Sequence, residues 1–248
     1  MRGLSTMSQI PEPDESSLSP PRGLRSIVAE TAVVLLVCVV PLIFQSAALS
    51  YVPRPATPFV YQAVHLILRS TANIALIAFL VLRSGEPVAR FGLSRLKRKD
   101  LAVGVVVFIG AQVAWYCAWY AITALLGRGT AADLGRQDLR ALSAPSGQWQ
   151  VALCIVMCFF NGAAEELVMR AYLIPRFEQL FDSTLLSVLL SSVLFASYHS
   201  YQGTGGMISV AVIGLFYGTV FCVLRRAWPL AVAHGLQDMI GFLFLSMR

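Results

Sequence analysis

A chain of 248 residues that is 57% hydrophobic and only 13% charged is not an ordinary soluble domain, which carries about 25% charged residues. Its mean hydropathy of +0.70 and its apolar runs of near the roughly 20 residues a spanning helix needs indicate an all-α, polytopic membrane protein, while the alternating polarity of a β-barrel is missing. The net charge of +6 then serves helix orientation and anionic lipid, and no nucleic-acid partner is expected.

Residues 1–25, rich in Pro, Ser and acid, lack the apolar core of a signal peptide and read as a disordered cytoplasmic tail. Residues 26–248 are expected to form one transmembrane domain. Seven spans are predicted (range six to eight), at 27–49, 59–82, 101–126, 149–174, 183–198, 206–224 and 228–245. Pro41 should kink the first span rather than end it, because a helix bundle can re-satisfy the freed backbone groups.

Arg22, Arg25, Arg83, Arg90, Arg95, Lys97, Arg98, Lys99, Arg176, Arg225 and Arg226 all fall on one side of this layout. The other side holds Arg54, then Arg128, Arg136 and Arg140 diluted by Asp133 and Asp138, then the uncharged part of HSYQGTGG. The positive-inside rule places the N-terminus in the cytoplasm. The stretch RFGLSRLKRKD (90–100) reads either as a membrane-surface segment or as a solvated orienting loop. Cys38, Cys117, Cys154, Cys158 and Cys222 lie in apolar runs without metal-type spacing, as small buried packing residues do. No internal repeat of the transporter kind is visible.

A charge at bilayer depth costs several kcal/mol on most estimates, so it faces a cavity or a partner. The residues concerned are His65 and Arg69 in the second span, Glu165, Glu166 and Arg170 in FNGAAEELVMRAYLIPRF, then His199, His234 and Asp238. Glu166 and Arg170 are four apart with the acid first, the favourable order for an ion pair on one helix face. Glu165 sits about 100° from Glu166 and about 140° from Arg170 around an ideal helix, without an obvious local partner. A glutamate so placed in a low-dielectric cavity suits a general base working near neutrality.

Phe195 and His199 are likewise four apart, as are His234 and Asp238. A carboxylate one turn from a histidine can fix its tautomer, or both can project into one cavity. Counted from the ends of the predicted spans at 1.5 Å per residue, Glu165 lies about 16 Å deep, Asp238 about 15 Å, His234 about 9 Å and His199 about 24 Å. Tilt and boundary error absorb much of that scatter. His65 and Arg69 have no assigned role, and Arg69 is expected to be satisfied by carbonyls or by an acid such as Glu30.

At these residues the sequence resembles the CPBP family of intramembrane proteases, also called the Abi or CAAX-protease family, whose members include prenyl endopeptidases and many bacterial proteins. The family pattern is EExxxR, FxxxH and HxxxN or HxxxD. Here it reads EELVMR (165–170), FASYH (195–199) and HGLQD (234–238), in order and in apolar spans, with FGLSR (91–95) as a weaker upstream echo. The resemblance covers a core at about 149–245. It implies that Glu165 and His199 activate a water for attack on a peptide carbonyl, and that His234 and Asp238 form the oxyanion-side pair. Glu166, Arg170 and Phe195 support them. Asp238 departs from the asparagine of the prenyl-endopeptidase branch, because an ionised aspartate cannot donate a hydrogen bond.

Glu165, His199, His234 and Asp238 could also ligate zinc, but no HExxH occurs, and a mechanism without metal or other cofactor is favoured. The resemblance implies an intramembrane endopeptidase with a membrane-associated peptide or protein substrate. The alternative is a non-catalytic membrane partner of the same family, serving bacteriocin immunity or scaffolding a signalling protein. A transporter using the same acids as a proton relay is the least favoured. The expected location is a cell membrane, as a multi-pass protein of the bacterial inner membrane.

Overall fold

The computed structural model describes residues 23–51, 57–129 and 143–246, and among them every regular element is helical. Seven helices follow in chain order. α1 runs through Leu24–Val34, a π-helical run Leu35–Val39, and Val40–Tyr51. α2 is Phe59–Ser84 and α3 is Arg98–Leu126, joined by a 3₁₀ turn at Val88–Phe91. α4 is Gln148–Phe181, π-helical over Leu167–Leu173. α5 is Thr184–Ser197, α6 is Gly203–Leu224 and α7 is Trp228–Ser246.

Among the described residues five stretches are long and apolar enough to cross a membrane: Leu24–Ser50, Phe59–Ser84, Arg98–Leu126, Gln148–Phe181 and Ser200–Leu224. The chain is a polytopic helical membrane protein. α5, expected to cross at 183–198, has 14 helical residues and so reaches only about 21 Å, short of a hydrocarbon core of about 30 Å. The tail expected over 1–25 lies outside the described residues up to position 22, and α1 already begins at Leu24. Arg54, Asp133, Arg136, Asp138 and Arg140 also lie outside them.

Both π-helical runs stand just before a proline, Pro41 or Pro175. Proline has no N–H for the carbonyl four residues back, and its ring crowds that carbonyl. Widening the preceding turn to i→i+5 closure relieves the clash without ending the helix. α4 therefore continues past Pro175 to Phe181, seven residues beyond the predicted end. That extension deepens Glu165 to about 24 Å from the end of its helix at 1.5 Å per residue, the depth expected of His199.

One end of the bundle is held by buried or half-buried ion pairs. Arg176, expected to act as an orienting charge, is fully buried. It pairs with Glu86, lies 3.8 Å from Glu30, and stacks 4.9 Å from the Phe91 ring and 5.2 Å from that of Tyr172. Arg226 donates to Asp100 at 2.8 and 2.5 Å, and Arg225 to Glu178 at 2.8 Å. Several arginines of the basic side thus spend their charge on acids brought in from other helices.

Within the 90–100 stretch residues 95–99 are exposed, whereas the segment around Phe91 and Gly92 is packed into the bundle. Phe91 is fully buried, Gly92 O accepts from Ala227 N at 3.0 Å, and Ser94 O accepts from Trp228 Nε1 at 2.5 Å. Asp100 also caps α3 by accepting from Lys97 N at 2.7 Å. The loop therefore seats the turn between α6 and α7, and with it the start of the helix that carries His234. Gly92 has φ +68°, and a Cβ there would stand 2.8 Å from the Phe221 ring and 3.1 Å from Ala227 N. Gly92→Ala is expected to cost about 1–3 kcal/mol, read as a lowered unfolding temperature in detergent.

The cysteines are all free. Cys38, Cys154 and Cys158 are buried as expected, whereas Cys117 is exposed and Cys222 only half-buried. Cys117 stands on the α3 stretch that also exposes Tyr116 and Tyr120, side chains suited to a membrane–water interface.

Candidate active site

α4 and α7 approach closely enough to build a shared polar cluster because glycine faces glycine. A Cβ on Gly162 would lie 2.7 Å from Gly235 N, and one on Gly235 would lie 2.5 Å from the Phe159 ring. The neighbours of these glycines, Asn161 and His234, are thereby brought within reach of the opposite helix.

Glu166, just before the π-helical stretch of α4, and Arg170, within it, are both fully buried and joined at 2.9 Å. Arg170 Nη2 also approaches Gly214 O at 3.4 Å. Its guanidinium lies 4.4 Å from the centre of the Phe195 ring and 5.7 Å from that of Tyr217. One ion pair and two aromatic faces therefore replace the water that a charged arginine would otherwise need.

His234 stands among three carboxyl groups. Its Nδ1 donates to Glu166 Oε1 at 2.7 Å, the oxygen that also accepts from Arg170. Its Nε2 lies 3.4 Å from Glu165 Oε2 and 3.6 Å from Asp238 Oδ1. The tautomer is set by Glu166 from another helix, rather than by Asp238 one turn along. Glu165, which lacks a partner on its own helix, also has Arg69 Nη2 at 3.7 Å. Its buried Oε2 receives no hydrogen bond among the described residues.

His199 follows the C-terminal end of α5. Its Nδ1 is 2.8 Å from Phe195 O; a carbonyl can only accept, so Nδ1 carries the proton and the neutral ring keeps Nε2 as an acceptor. Phe195 is common to both histidines, with its ring 5.0 Å from His199 and 5.7 Å from His234, edge to face. The two imidazoles are held differently: His234 by a carboxylate, His199 by a backbone carbonyl.

The structure thus gathers Glu165, Glu166, Arg170, His234 and Asp238 into one network, with His199 joined to it through Phe195. It adds Arg69, which donates to Asn161 Oδ1 at 2.9 Å, and Asn161, which donates to Asp238 Oδ2 at 2.9 Å. The partner expected for Arg69, Glu30, is close to Arg176 instead. His65 is exposed. Asn161 was not among the sequence candidates, although it lies four residues before Glu165 and so shares its helix face. Among the described residues no group of three or more His, Cys, Asp or Glu is set to hold a metal ion.

Residues 147–240 match the family described as Rce1-like, type II CAAX prenyl endopeptidase Rce1-like. No curated protein and no solved structure gave a match. The matched stretch runs from the start of α4 into α7 and contains all three motifs. Over residues 147–240 the chain is therefore a domain of the Rce1-like type II CAAX prenyl endopeptidase family.

Proposed function

We propose that the protein is an intramembrane endopeptidase that hydrolyses a peptide bond of a membrane-associated protein or peptide, with water activated by Glu165 and His199. The observation that carries this reading is Glu165 Oε2, a buried acceptor that receives no hydrogen bond among the described residues and lies 3.4 Å from His234 Nε2. Such an atom is where a water belongs in a polar cavity. Glu165 takes a proton as the water oxygen bonds to the carbonyl carbon, and the carbonyl oxygen becomes the oxyanion. His199, through its free Nε2, orients the same water. With Nδ1 kept on Glu166, a second proton at Nε2 makes His234 a donor toward the developing negative charge, where fixed donors are worth most. The proton then passes to the leaving nitrogen as the C–N bond breaks.

Glu166 and Arg170 hold His234 and Phe195 in place. The basic end of the bundle faces the cytoplasm by the positive-inside rule, in the inner membrane of a bacterium. All seven helices lie in the membrane, with α5 reaching only partway and so presenting His199 at depth.

The test is cleavage of a quenched-fluorescent farnesylated peptide by the purified protein in liposomes, run in ¹⁸O-labelled water. Two fragments are expected, with one heavy oxygen in the new carboxylate of the N-terminal one. Absence of turnover on prenylated and unmodified peptide panels alike would overturn the peptidase reading.

A further inference from the structure

Asn161 is nearly buried, with 8% of its surface exposed, and the orientation of its amide is dictated by chemistry. Arg69 can only donate, so Oδ1 turns toward it and Nδ2 turns away, to Asp238. That contact occupies Oδ2 of Asp238 and leaves Oδ1 facing His234 Nε2 at 3.6 Å. One amide therefore sets the rotation of the carboxyl group about its own axis. The same Arg69 nitrogen lies 3.7 Å from Glu165 Oε1, so a single guanidinium spans two residues one helical turn apart.

We propose that Asn161 is the positioning residue of this site: gripped by Arg69 from α2, its amide holds Asp238 on α7 with one oxygen turned to His234. The site thereby gains a fixed amide donor beside a residue that cannot itself donate when ionised. The contact stands on geometry alone. Its effect on turnover rests on the peptidase reading above.

Two measurements on the full chain separate the two. The first needs no substrate. Asn161→Asp sets a second carboxylate at hydrogen-bond distance from Asp238, and like charges so close resist joint ionisation. The variant binds more protons folded than unfolded, so its unfolding temperature should fall, relative to the parent, as the pH rises from about 5 to about 9. In the exchange variant Asn161→Asp/Asp238→Asn one amide and one carboxylate face each other again, and the extra pH dependence should vanish. The second measurement is turnover of the farnesylated peptide. Asn161→Ala should lower kcat about 100-fold and leave KM within about threefold, and Asn161→Asp supplies the same readout should the alanine variant not fold.

An unfolding temperature for Asn161→Asp that follows the parent's pH dependence would overturn the proposal. So would a parental kcat in both single variants. If the parent protein cleaves nothing, the peptidase reading falls. The pH series then still decides: extra dependence relieved by the exchange supports the Asn161–Asp238 contact, and its absence rejects it.

Discussion

Glu165→Gln and His199→Ala are each expected to reduce peptide cleavage by roughly 10²- to 10⁴-fold, the range for loss of a general base, while the purified protein keeps its helical spectrum. Glutamine fills the same volume but cannot take a proton, so the loss would report chemistry rather than packing. His199 is not buried in the main network and its ring rests on Phe195 and on the Phe195 carbonyl, so its removal should leave the Glu166–Arg170–His234 contacts in place. The two residues serve one water, and the double variant should fall little below the worse single one. Undiminished cleavage in either variant would remove that residue from the mechanism. If Glu165→Gln restored the phenotype of a deletion strain in full, the non-catalytic partner would become the better reading.

Arg170→Met is expected to act on folding instead. Arg170 has no exposed surface, and neither has Glu166, so methionine would strand a carboxylate whose remaining partner is His234 Nδ1. Breaking a buried pair from one side costs about 3–5 kcal/mol. The cost should appear as loss of monodisperse protein on size exclusion and a lower unfolding temperature. Removing both charges, as Glu166→Gln/Arg170→Met, should recover much of the loss, because a neutral pair leaves no orphaned ion. Arg225→Ala offers the contrast. Its side chain is 43% exposed, and its pair with Glu178 should contribute only about 0–1 kcal/mol. An Arg170→Met variant as stable as Arg225→Ala would mean that the buried pair holds nothing together.

Hydropathy alone located most helices to within a few residues, because a run that must hide its backbone in lipid is apolar on every face. The second span, predicted at 59–82, is Phe59–Ser84, and the sixth, predicted at 206–224, is Gly203–Leu224. The fourth was cut short at 174 because Pro175 and Arg176 look like the end of a span. Both are accommodated by partners far away in sequence: a π-helical turn takes the proline, and Glu86 meets the arginine. Within the site, the pairs spaced four apart were legible because they share a helix face. What joins one helix to another was not. Arg69 reaches Asn161 rather than Glu30, and His234 reaches Glu166 as well as Asp238, since these choices depend on helix rotation and on the glycine contact between α4 and α7. Asn161 carries no charge, so nothing in the sequence sets it apart from an ordinary polar residue in a span.

The three carboxyl groups around His234 also set terms for what may enter. With Glu165, Glu166 and Asp238 ionised against Arg69 and Arg170, the cluster is one positive charge short of neutrality, and a net charge at this depth is costly. A single proton, on the imidazole or shared with a carboxyl group, closes that balance and leaves nothing over. An anionic ligand would therefore have to bring its own counter-charge, whereas an uncharged peptide carbonyl is admitted without one. On the peptidase reading proposed above, charge balance alone favours neutral groups before any contact of shape is made.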